Sequence, residues 1–398
     1  MADRVKFGIN AVDELPTDIS SWNARSATII TDEGLAQTGM IDEITDCLEE
    51  TFVHIYTGVE ADPSIKVFEE ALEFVRERDP DVIIAVGGGS SIDVAKTASV
   101  IHDEDGSVRD YIAPPTGGGK EITEPGVPVI AIPTTAGTGS ESSPVSVISL
   151  PEKQLKVGIS SKYQYPDLAV VDPRLTTSLP SNLTAYSGLD ALSHAVEAYV
   201  TRPFDGKEQP QTPEGRPDYN GRTLLTDQLA TTAIKLISEN LRPAVNNGAN
   251  LEARRNMSLA SLLAGIAFTN AGLGATHALA LSVAGKHNTP HGLTIATLLP
   301  AVMRFNAAAQ PERFQTMAEL LGEDLSSGSQ RSKALKSASA VASLAEDVGV
   351  LGGLSELGVA ENELPQLAEN TMQLERLLVG NPRMVTKDAA KAILQDAF

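Results

Sequence analysis

Hydrophobic positions in the first half of the chain alternate between short apolar runs and longer amphipathic stretches. The apolar runs have the length of buried strands, and the amphipathic stretches have helical periodicity. The predicted strands are Ala27–Thr31, Thr51–Tyr56, Asp81–Val86, Val127–Ile132 and Leu168–Asp172. The predicted helices between them are Leu35–Glu50, Ser64–Arg78 and Ser91–Ile101. This alternation predicts a parallel sheet with helices on both faces. Two further apolar runs, Pro144–Leu150 and Gln154–Ser160, flank a short turn and predict a β-hairpin.

The pattern changes after Pro180, where Ala- and Leu-rich helical stretches continue nearly to Phe398. We therefore predict an α/β domain with a Rossmann-like parallel sheet over residues 1–180 and an all-α domain over residues 181–398. Arg202–Gly221 interrupts the helical pattern and is predicted to be a surface loop, because its prolines exclude a helix. These prolines are Pro203, Pro210, Pro213 and Pro217.

The overall charge narrows the range of partners. Acidic residues outnumber basic residues 52 to 31, which gives a net charge of −21. Such a field repels nucleic acid and anionic membranes, so we expect neither as a partner. The N-terminus lacks a signal-peptide pattern and no apolar run reaches membrane-spanning length, which predicts a cytoplasmic protein. The acidic surface either has no specific role or reflects adaptation to high salt, and we take salt adaptation as a hypothesis.

The chain has a single cysteine, Cys47. One cysteine excludes an intrachain disulfide and a cysteine-based metal site. Its acidic neighbours Asp46 and Glu49 disfavour a reactive thiolate. We therefore expect Cys47 to be a small buried hydrophobic residue on the helix Met40–Glu50.

A glycine-rich segment follows the predicted strand Asp81–Val86 and begins the next helix. Glycines let backbone N–H groups approach a phosphate, and the helix N-terminus adds positive potential. The spacing differs from the G-x-G-x-x-G of the standard dinucleotide fold, and a simple tight turn is the alternative interpretation. The residues predicted to contact a nucleotide cofactor here are Gly87, Gly88, Gly89, Ser90, Ser91 and Asp93.

Two further features lie at predicted strand ends. Pro133–Glu141 is rich in hydroxyl groups and glycine and follows the strand that ends at Ile132. Open α/β sheets bind ligands at this edge, although a polar turn has the same composition. Asp32 follows Ala27–Thr31, where its carboxylate would accept hydrogen bonds from a ribose and repel a 2′-phosphate, which favours NAD over NADP. Its alternative role is a helix N-cap.

Asp190 and His194 lie four residues apart on one face of a predicted helix. His277 and His291 follow in glycine-containing segments, so half of the six histidines belong to this set. One carboxylate and three imidazoles suit a divalent transition metal such as Fe²⁺, Zn²⁺ or Mn²⁺. The spacing alone leaves a metal site and a group of structural histidines equally open.

These segments resemble a known family. Gly188–Glu197 with His277 and Asn288–Gly292 is similar to the iron-containing (group III) alcohol dehydrogenases. So are Gly87–Lys96, Pro133–Glu141 and the closing Asn381-Pro382-Arg383. The resemblance runs from about Phe7 to the C-terminus. It implies a nucleotide domain, a helical metal domain and a cleft between them.

The resemblance also implies roles for individual residues. The implied metal ligands are Asp190, His194, His277 and His291. The implied cofactor contacts are Gly88, Gly89, Ser90, Thr134, Thr135 and Thr138, with Asp32 at the adenosine ribose. Lys156 matches a family lysine on the nicotinamide side of the cleft, and its alternative role is a surface charge on the hairpin.

The implied activity is metal-dependent hydride transfer between NAD(H) and a small alcohol, aldehyde or ketone, in a homo-oligomer (a dimer or larger). NADP is a less favoured cofactor. Glycerol dehydrogenase-like and maleylacetate reductase-like enzymes are the alternatives within the superfamily, and the complete ligand set disfavours the latter. A dehydroquinate synthase-like lyase would need several basic pocket residues, and the segments around the ligands are poor in them. A non-catalytic binding protein would have little need for the ligand set.

The chain departs from the family pattern at Leu281, at Asp62 and at His287, where relatives often have an aromatic residue. Leu281 stands where many members have a histidine credited with proton transfer, so we predict that His287 or bound water carries part of that relay. A rim histidine without a role is the alternative for His287. Asp62 stands where relatives often have Asn, which adds negative charge near the expected pyrophosphate.

Overall fold

The valine- and isoleucine-rich runs of the first half form a sheet of parallel strands. The computed structural model describes residues 2–153, 155–207, 212 and 219–398, and the chain divides into two compact units, Met1–Ser178 and Leu179–Phe398. The strands of the first unit are β1 (Arg4–Phe7), β2 (Ser26–Asp32), β3 (Phe52–Val59), β4 (Val82–Gly87), β5 (Val129–Pro133), β6 (Val145–Leu150), β7 (Leu155–Ser160) and β8 (Leu168–Val171). Its helices are α1 (Leu15–Ser21), α2 (Glu33–Ala36), α3 (Met40–Asp46), α4 (Ile65–Arg78), α5 (Gly89–Ile101) and α6 (Val108–Tyr111).

Six strands pair in the order β1-β8-β5-β4-β2-β3, all parallel. β4 is buried along its whole length because alternate side chains enter opposite cores. Ile83 and Ala85 pack in one core with residues of α4 and α5, whereas Ile84 and Val86 pack in the other with residues of α1 and α3. Each such isoleucine contributes about 1.5–3 kcal/mol of burial free energy. The predicted α/β class is confirmed, and the carboxyl ends of β4 and β5 lie side by side.

The predicted hairpin is confirmed over its described residues. β6 and β7 pair antiparallel, from Val145 opposite Ser160 to Leu150 opposite Leu155. Gln154 lies outside the described residues. Ser149 N donates to Pro63 O at 2.9 Å, which attaches the hairpin to the segment before α4.

Two predictions for the first unit were wrong, and one strand was missed. The helix Leu35–Glu50 is divided into α2 and α3, because Gly39 adopts a left-handed φ of 83° between them. Cys47 is exposed and follows α3, since the inward positions of this segment are Ile41, Ile44 and Leu48. The strand β1 was not predicted, because it is a short, half-exposed edge strand with too few apolar residues.

The second unit is helical. Its helices are α7 (Ser181–Val200), α8 (Leu224–Asn246), α9 (Leu251–Ala271), α10 (Ala275–His287), α11 (His291–Ala307), α12 (Pro311–Leu320), α13 (Gln330–Asp347), α14 (Leu364–Met372), α15 (Glu375–Leu378) and α16 (Lys387–Asp396). α7 is buried from Gly188 to its last residue. Gly188 allows close packing, because a Cβ at this position would overlap the side chain of Leu241 on α8. The all-α prediction for this part of the chain is confirmed.

The described parts of Arg202–Gly221 form the base of the predicted loop. Pro203 bridges to Arg222, and Lys207 Nζ donates to Tyr219 O at 2.8 Å. Gly221 has φ 90°, and a Cβ there would overlap the carbonyl of Arg202, so only glycine fits. Pro210, Pro213 and Pro217 lie outside the described residues.

Over the described part of the chain no single helix is long and apolar enough to cross a membrane. The bent pair α9 and α10 together has the length and composition of a membrane span.

Candidate metal centre and nucleotide-binding turn

The buried helix α7 presents three acidic or imidazole side chains on one face. Asp190, His194 and Glu197 follow the i, i+4, i+7 spacing, and all three are buried. Phe268 of α9 stacks on the His194 ring with the centroids 4.5 Å apart, which orients that imidazole. α7 therefore supplies a rigid base for a polar site inside the second unit.

Two further imidazoles reach the same point from α10 and α11. His277 lies near the N-terminus of α10, and His291 is the first residue of α11. Gly292 allows α11 to approach α7, because a Cβ there would lie 2.5 Å from the carbonyl oxygen of Tyr186. The ring of His277 stacks on that of His194 at a centroid distance of 4.7 Å.

All three imidazoles direct Nε2 at one carboxylate oxygen. The Nε2 atoms of His194, His277 and His291 lie 3.8, 3.7 and 3.7 Å from Asp190 Oδ1. These distances are too long for hydrogen bonds. Asp190, His277 and His291 also offer ligand atoms that all lie within 4.8 Å of one another. The four predicted ligands are thus brought together around a common point.

The polar atoms at this point fit a metal ion. Asp190 Oδ1 and His277 Nε2 are buried and have no hydrogen-bond partner among the described residues. A buried polar atom without a partner costs about 1–3 kcal/mol, which an ion would offset. Burial alone would raise the pKa of Asp190, but the surrounding imidazoles hold it below its usual range. One anionic oxygen and three imidazole nitrogens are a donor set for Fe²⁺ or Zn²⁺. Ligation by these four residues stays a prediction.

Glu197 is the residue of this site that the sequence-based prediction missed. Its carboxylate lies 2.6 Å from His277 Nδ1, on the side of the ring opposite Nε2. The signal was present, since Glu197 is seven residues after Asp190 on the same helical face. A glutamate at that spacing is nonetheless ordinary on amphipathic helices, so the spacing alone does not distinguish Glu197 from a solvated charge.

In the first unit, the glycine-rich segment forms the strand–turn–helix junction that was predicted. Gly87 ends β4 with φ 153°, and Gly89 begins α5. A Cβ at Gly87 would overlap Ser91, and one at Gly89 would lie 2.8 Å from Thr138 Cγ2 and Oγ1. The turn therefore needs glycine at these two positions. The N–H groups at the start of a helix such as α5 can bind a phosphate.

The hydroxyl-rich segment after β5 lies against this turn. Thr134 N donates to Gly87 O at 2.9 Å, and Thr135 Cγ2 lies 3.4 Å from the position of a Cβ on Gly88. Thr138 packs beside Gly89. The structure therefore brings together the glycine turn with Ser90 and Ser91 and the three predicted threonines Thr134, Thr135 and Thr138.

Asp32 lies at the same edge of the sheet. Its Oδ1 accepts the N–H of Leu35 at 2.8 Å and caps α2, so its alternative role as an N-cap is real. Its Oδ2 lies 3.8 Å from the position of a Cβ on Gly87. One oxygen thus caps the helix while the other faces the glycine turn, and a ribose contact by Asp32 stays a prediction.

Asp93 is committed to contacts within the protein. Ser140 Oγ donates to Asp93 Oδ1, Val147 N donates to Oδ2 at 2.9 Å, and Lys96 Nζ lies 3.0 Å away. These contacts attach α5 to the hydroxyl-rich segment and to the hairpin. They favour a role in positioning the cofactor site over direct contact, and the predicted contact stays untested.

The two predicted catalytic residues each lie beside a carboxylate. Lys156 Nζ is buried on β7 and lies 2.6 Å from Asp62 Oδ1, without the alignment of a regular hydrogen bond. His287, the last residue of α10, lies 3.1 Å from Glu363 Oε2. Lys286 lowers the pKa of Glu363 to about 2, so this partner is an anion. The relay role of His287 and the nicotinamide role of Lys156 stay predictions.

Models of known families match both parts of the chain. The model for iron-containing alcohol dehydrogenase matches residues 2–173. The model for the C-terminal part of the Fe-containing alcohol dehydrogenase family matches residues 220–398. The chain belongs to the iron-containing alcohol dehydrogenase family.

Individual members of the family are similar over nearly the whole chain. The NAD-dependent methanol dehydrogenase of Bacillus methanolicus is 35% identical over 394 residues, which cover 98% of this chain and 97% of that one. The mitochondrial hydroxyacid-oxoacid transhydrogenase of Xenopus laevis is 33% identical over 408 residues, covering 98% and 88%. A crystal structure of 1,3-propanediol oxidoreductase superposes with a TM-score of 0.90 at 36% identity and covers 100% of this chain and 98% of that one.

Proposed function

We propose that this protein is an NAD-dependent, metal-dependent dehydrogenase that interconverts a small alcohol and its aldehyde or ketone. Membership of the iron-containing alcohol dehydrogenase family supports the reaction class. The observation that carries the proposal is the convergence of three Nε2 atoms on the buried Asp190 Oδ1, an oxygen that has no hydrogen-bond partner among the residues that the structure describes. A set of structural histidines would instead satisfy Asp190 Oδ1 and His277 Nε2 within the protein.

Asp190, His194, His277 and His291 are the residues that would hold the metal. A divalent ion held there supplies Lewis-acid chemistry, which lowers the pKa of a substrate hydroxyl or polarises a carbonyl. Asp190 contributes the only negative charge of this set, so the loaded centre would keep a net positive charge that favours an anionic substrate oxygen. Phe268 stacks on His194, and burial restricts the movement of His194 and His277.

The glycine turn of the first unit is the proposed nucleotide site. A Cβ at Gly87 or Gly89 would overlap neighbouring side chains, so the turn needs glycine at both positions. This requirement supports a turn that a phosphate can approach closely. Asp32 supports NAD over NADP, because a carboxylate facing the turn would repel a 2′-phosphate. NAD supplies the hydride acceptor when it is bound, and the protein supplies its orientation.

The test begins with metal-free protein that is then loaded with Fe²⁺, Zn²⁺ or Mn²⁺. NADH and NADPH oxidation are followed with a series of straight-chain aldehydes and ketones. We expect NADH oxidation that requires metal, and loss of more than a hundredfold in Asp190→Asn. Absence of any metal-dependent NADH oxidation across the series would reject the proposal and favour a lyase or a binding protein.

A transhydrogenase is the second candidate, because the hydroxyacid-oxoacid transhydrogenase of Xenopus laevis is 33% identical over 98% of this chain. The two activities differ in their need for free cofactor. Exchange between a hydroxy acid and an oxo acid without added NADH would favour the transhydrogenase. Turnover that stops unless soluble NADH is supplied favours the dehydrogenase.

We also propose a homo-oligomer that acts on small-molecule substrates, has no nucleic-acid or membrane partner and works in the cytoplasm. The net charge of −21 supports the absence of a nucleic-acid partner and the hypothesis of salt adaptation. Light scattering of the purified protein measures the oligomeric state directly.

A further inference from the structure

Glu197 is a buried carboxylate whose contacts come from one short segment. Gly274 N donates to Oε2 at 3.0 Å and Thr276 N donates to Oε1 at 2.6 Å. His277 Nδ1 lies 2.6 Å from Oε2. The carboxylate therefore holds both the first turn of α10 and the imidazole that the same turn carries.

The contacts of Glu197 determine which ring nitrogen of His277 carries hydrogen. Both carboxyl oxygens already accept a backbone N–H, Oε2 from Gly274 and Oε1 from Thr276. Since both oxygens act as acceptors, His277 Nδ1 at 2.6 Å from Oε2 is the donor. Nε2 then keeps its lone pair, and it is Nε2 that faces Asp190 Oδ1 at 3.7 Å.

A second residue, Asn381, holds the same turn. Asn381 Oδ1 accepts the N–H of Ala275 at 3.3 Å, and the amide of Asn381 pairs with that of Asn306 at 2.8 and 3.1 Å. A Cβ at Gly274 would lie 3.0 Å from Asn381 Oδ1 and 3.1 Å from Glu197 Oε1. Gly274 thus lets both side chains close on the backbone before His277.

We propose that Glu197 is a positioning residue that fixes His277 with Nδ1 protonated and Nε2 directed at the metal, while Asn381 holds the turn that carries the ring. This inference rests on the metal site of the proposed function. Metal-bound histidines generally donate their second ring N–H to a carboxylate or carbonyl, and loss of that partner typically weakens metal binding 10- to 100-fold. The closing segment Asn381-Pro382-Arg383 therefore contributes to the site through Asn381, which holds the turn before His277.

Glu197→Gln is the direct test, because the amide cannot satisfy three donors. If the Gln nitrogen takes the place of Oε2, it opposes Gly274 N–H and requires Nδ1 to accept, which puts the hydrogen on Nε2. If it takes the place of Oε1, it opposes Thr276 N–H. Both orientations disturb His277, so we expect the dissociation constant for Zn²⁺, measured by competition with a chromophoric chelator, to rise about 10- to 100-fold.

Ser282→Ala is the matched control on the same helix. Ser282 is buried on α10 and donates one hydrogen bond, to Leu367 O at 2.8 Å, away from the His277 ring. This variant should lower the unfolding temperature and leave Zn²⁺ affinity unchanged. At saturating Co²⁺, the visible ligand-field spectrum should change in Glu197→Gln and stay as in the wild type in Ser282→Ala, since the spectrum reports ligand geometry rather than stability.

The outcomes separate this inference from the proposed function. If the wild-type protein binds no metal, the metal site itself is wrong. If the wild type binds Zn²⁺ but Glu197→Gln matches it in affinity and Co²⁺ spectrum, or if Ser282→Ala loses as much affinity, the positioning role is wrong. Should Glu197→Gln fail to fold, Glu197→Asp keeps the charge one methylene shorter. A smaller loss of affinity with a shifted Co²⁺ spectrum supports the role, and wild-type values overturn it.

Discussion

Asp62 and Lys156 lie far apart in the sequence and form an ion pair in the folded chain. Asp62 has a left-handed φ of 53°, one-third of its side chain is exposed, and Lys156 is buried. At 2.6 Å the lysine neutralises the carboxylate, which offsets much of the repulsion that an acidic residue would exert on a cofactor pyrophosphate. The pair also joins the segment before α4 to the hairpin strand β7.

Asp62→Asn should strengthen NADH binding severalfold at low ionic strength, because Lys156 would then keep an uncompensated positive charge. Asn tolerates the left-handed backbone, so the change is mainly electrostatic. Fluorescence titration with NADH in 0.05 and 2 M KCl measures the effect, and the difference should vanish at high salt. Asp13→Asn, which breaks the pair with Arg174, serves as the control. An unchanged affinity at low salt would mean that this pair lies away from the cofactor.

Glu141 is a buried acid behind the glycine turn. Burial raises its pKa to about 7, and its own backbone N–H and the charge of Lys96 offset this only in part. Lys96 is itself fully buried and donates to Ser140 Oγ at 2.8 Å and to Val145 O at 2.6 Å. This cluster places a titratable group with a near-neutral pKa inside the first unit.

Glu141 should therefore make stability depend on pH between about 4.5 and 7. The folded protein binds this proton more tightly than the unfolded chain, so the stabilisation is complete below pH 4.5 and is lost as the pH rises to 7. Glu141→Gln should remove this slope and be more stable than the wild type above pH 7, by roughly 3 kcal/mol at most. Urea unfolding at pH 5 to 8 measures it. Parallel pH profiles for the wild type and the variant would contradict the assignment.

The junction of β4 and α5 is the element on which the nucleotide proposal depends. Gly89 begins α5 and lies against Thr138. A Cβ added to Gly89 would lie 3.0 Å from the Cβ of Thr138 and 2.8 Å from its Cγ2 and Oγ1. Threonine is short and branched, so its atoms cannot move aside without a shift of the whole segment. The contact between the start of α5 and Thr138 therefore sets the width of the glycine turn.

Gly89→Ala should raise the dissociation constant for NADH at least tenfold and leave Zn²⁺ binding by the second unit unchanged. Gly158→Ala in β7 is the control, because its added Cβ would meet Val145 Cγ1 at an ordinary 3.5 Å. Isothermal titration with NADH and with Zn²⁺ reads the two units separately. Equal NADH affinity in both variants would show that the turn does not hold the cofactor.

The sequence predicted elements well where burial is two-sided and poorly where it is not. β4 was placed within one residue, because a strand covered on both faces is a continuous apolar run. β1 has Arg4 and Lys6 on an edge strand and becomes a strand only by pairing with β8. The i, i+4 spacing indicated Asp190 and His194. The contact of Glu197 with His277 instead depends on where the tertiary structure places the first turn of α10 relative to α7, which no local pattern contains.

The charge of the whole molecule determines how it should respond to salt. With a net charge of −21, like-charge repulsion opposes the compact state, and the screening length falls from about 30 Å at 0.01 M to 3 Å at 1 M ionic strength. Screening should therefore stabilise the folded protein.

We expect the thermal unfolding midpoint to rise by several degrees between 0.05 and 2 M KCl. Calorimetry in KCl, with an equal osmolality of glycerol as the control, distinguishes charge screening from solvent exclusion. Equal midpoints in dilute and concentrated KCl would refute salt adaptation and leave the acidic surface without a specific role.

The contacts around α10 also determine when the proposed metal site is completed during synthesis of the chain. Glu197 meets His277 across 80 residues of chain, and Asn381 meets Ala275 across 106. The ribosome releases the chain from the N-terminus, so a nascent protein acquires all four proposed ligands long before Asn381 emerges. Until then Glu197 holds the first turn of α10 without Asn381. Metal capture should therefore be a late event of biosynthesis, which leaves a nearly finished polypeptide the opportunity to exchange one cellular metal for another before the site closes.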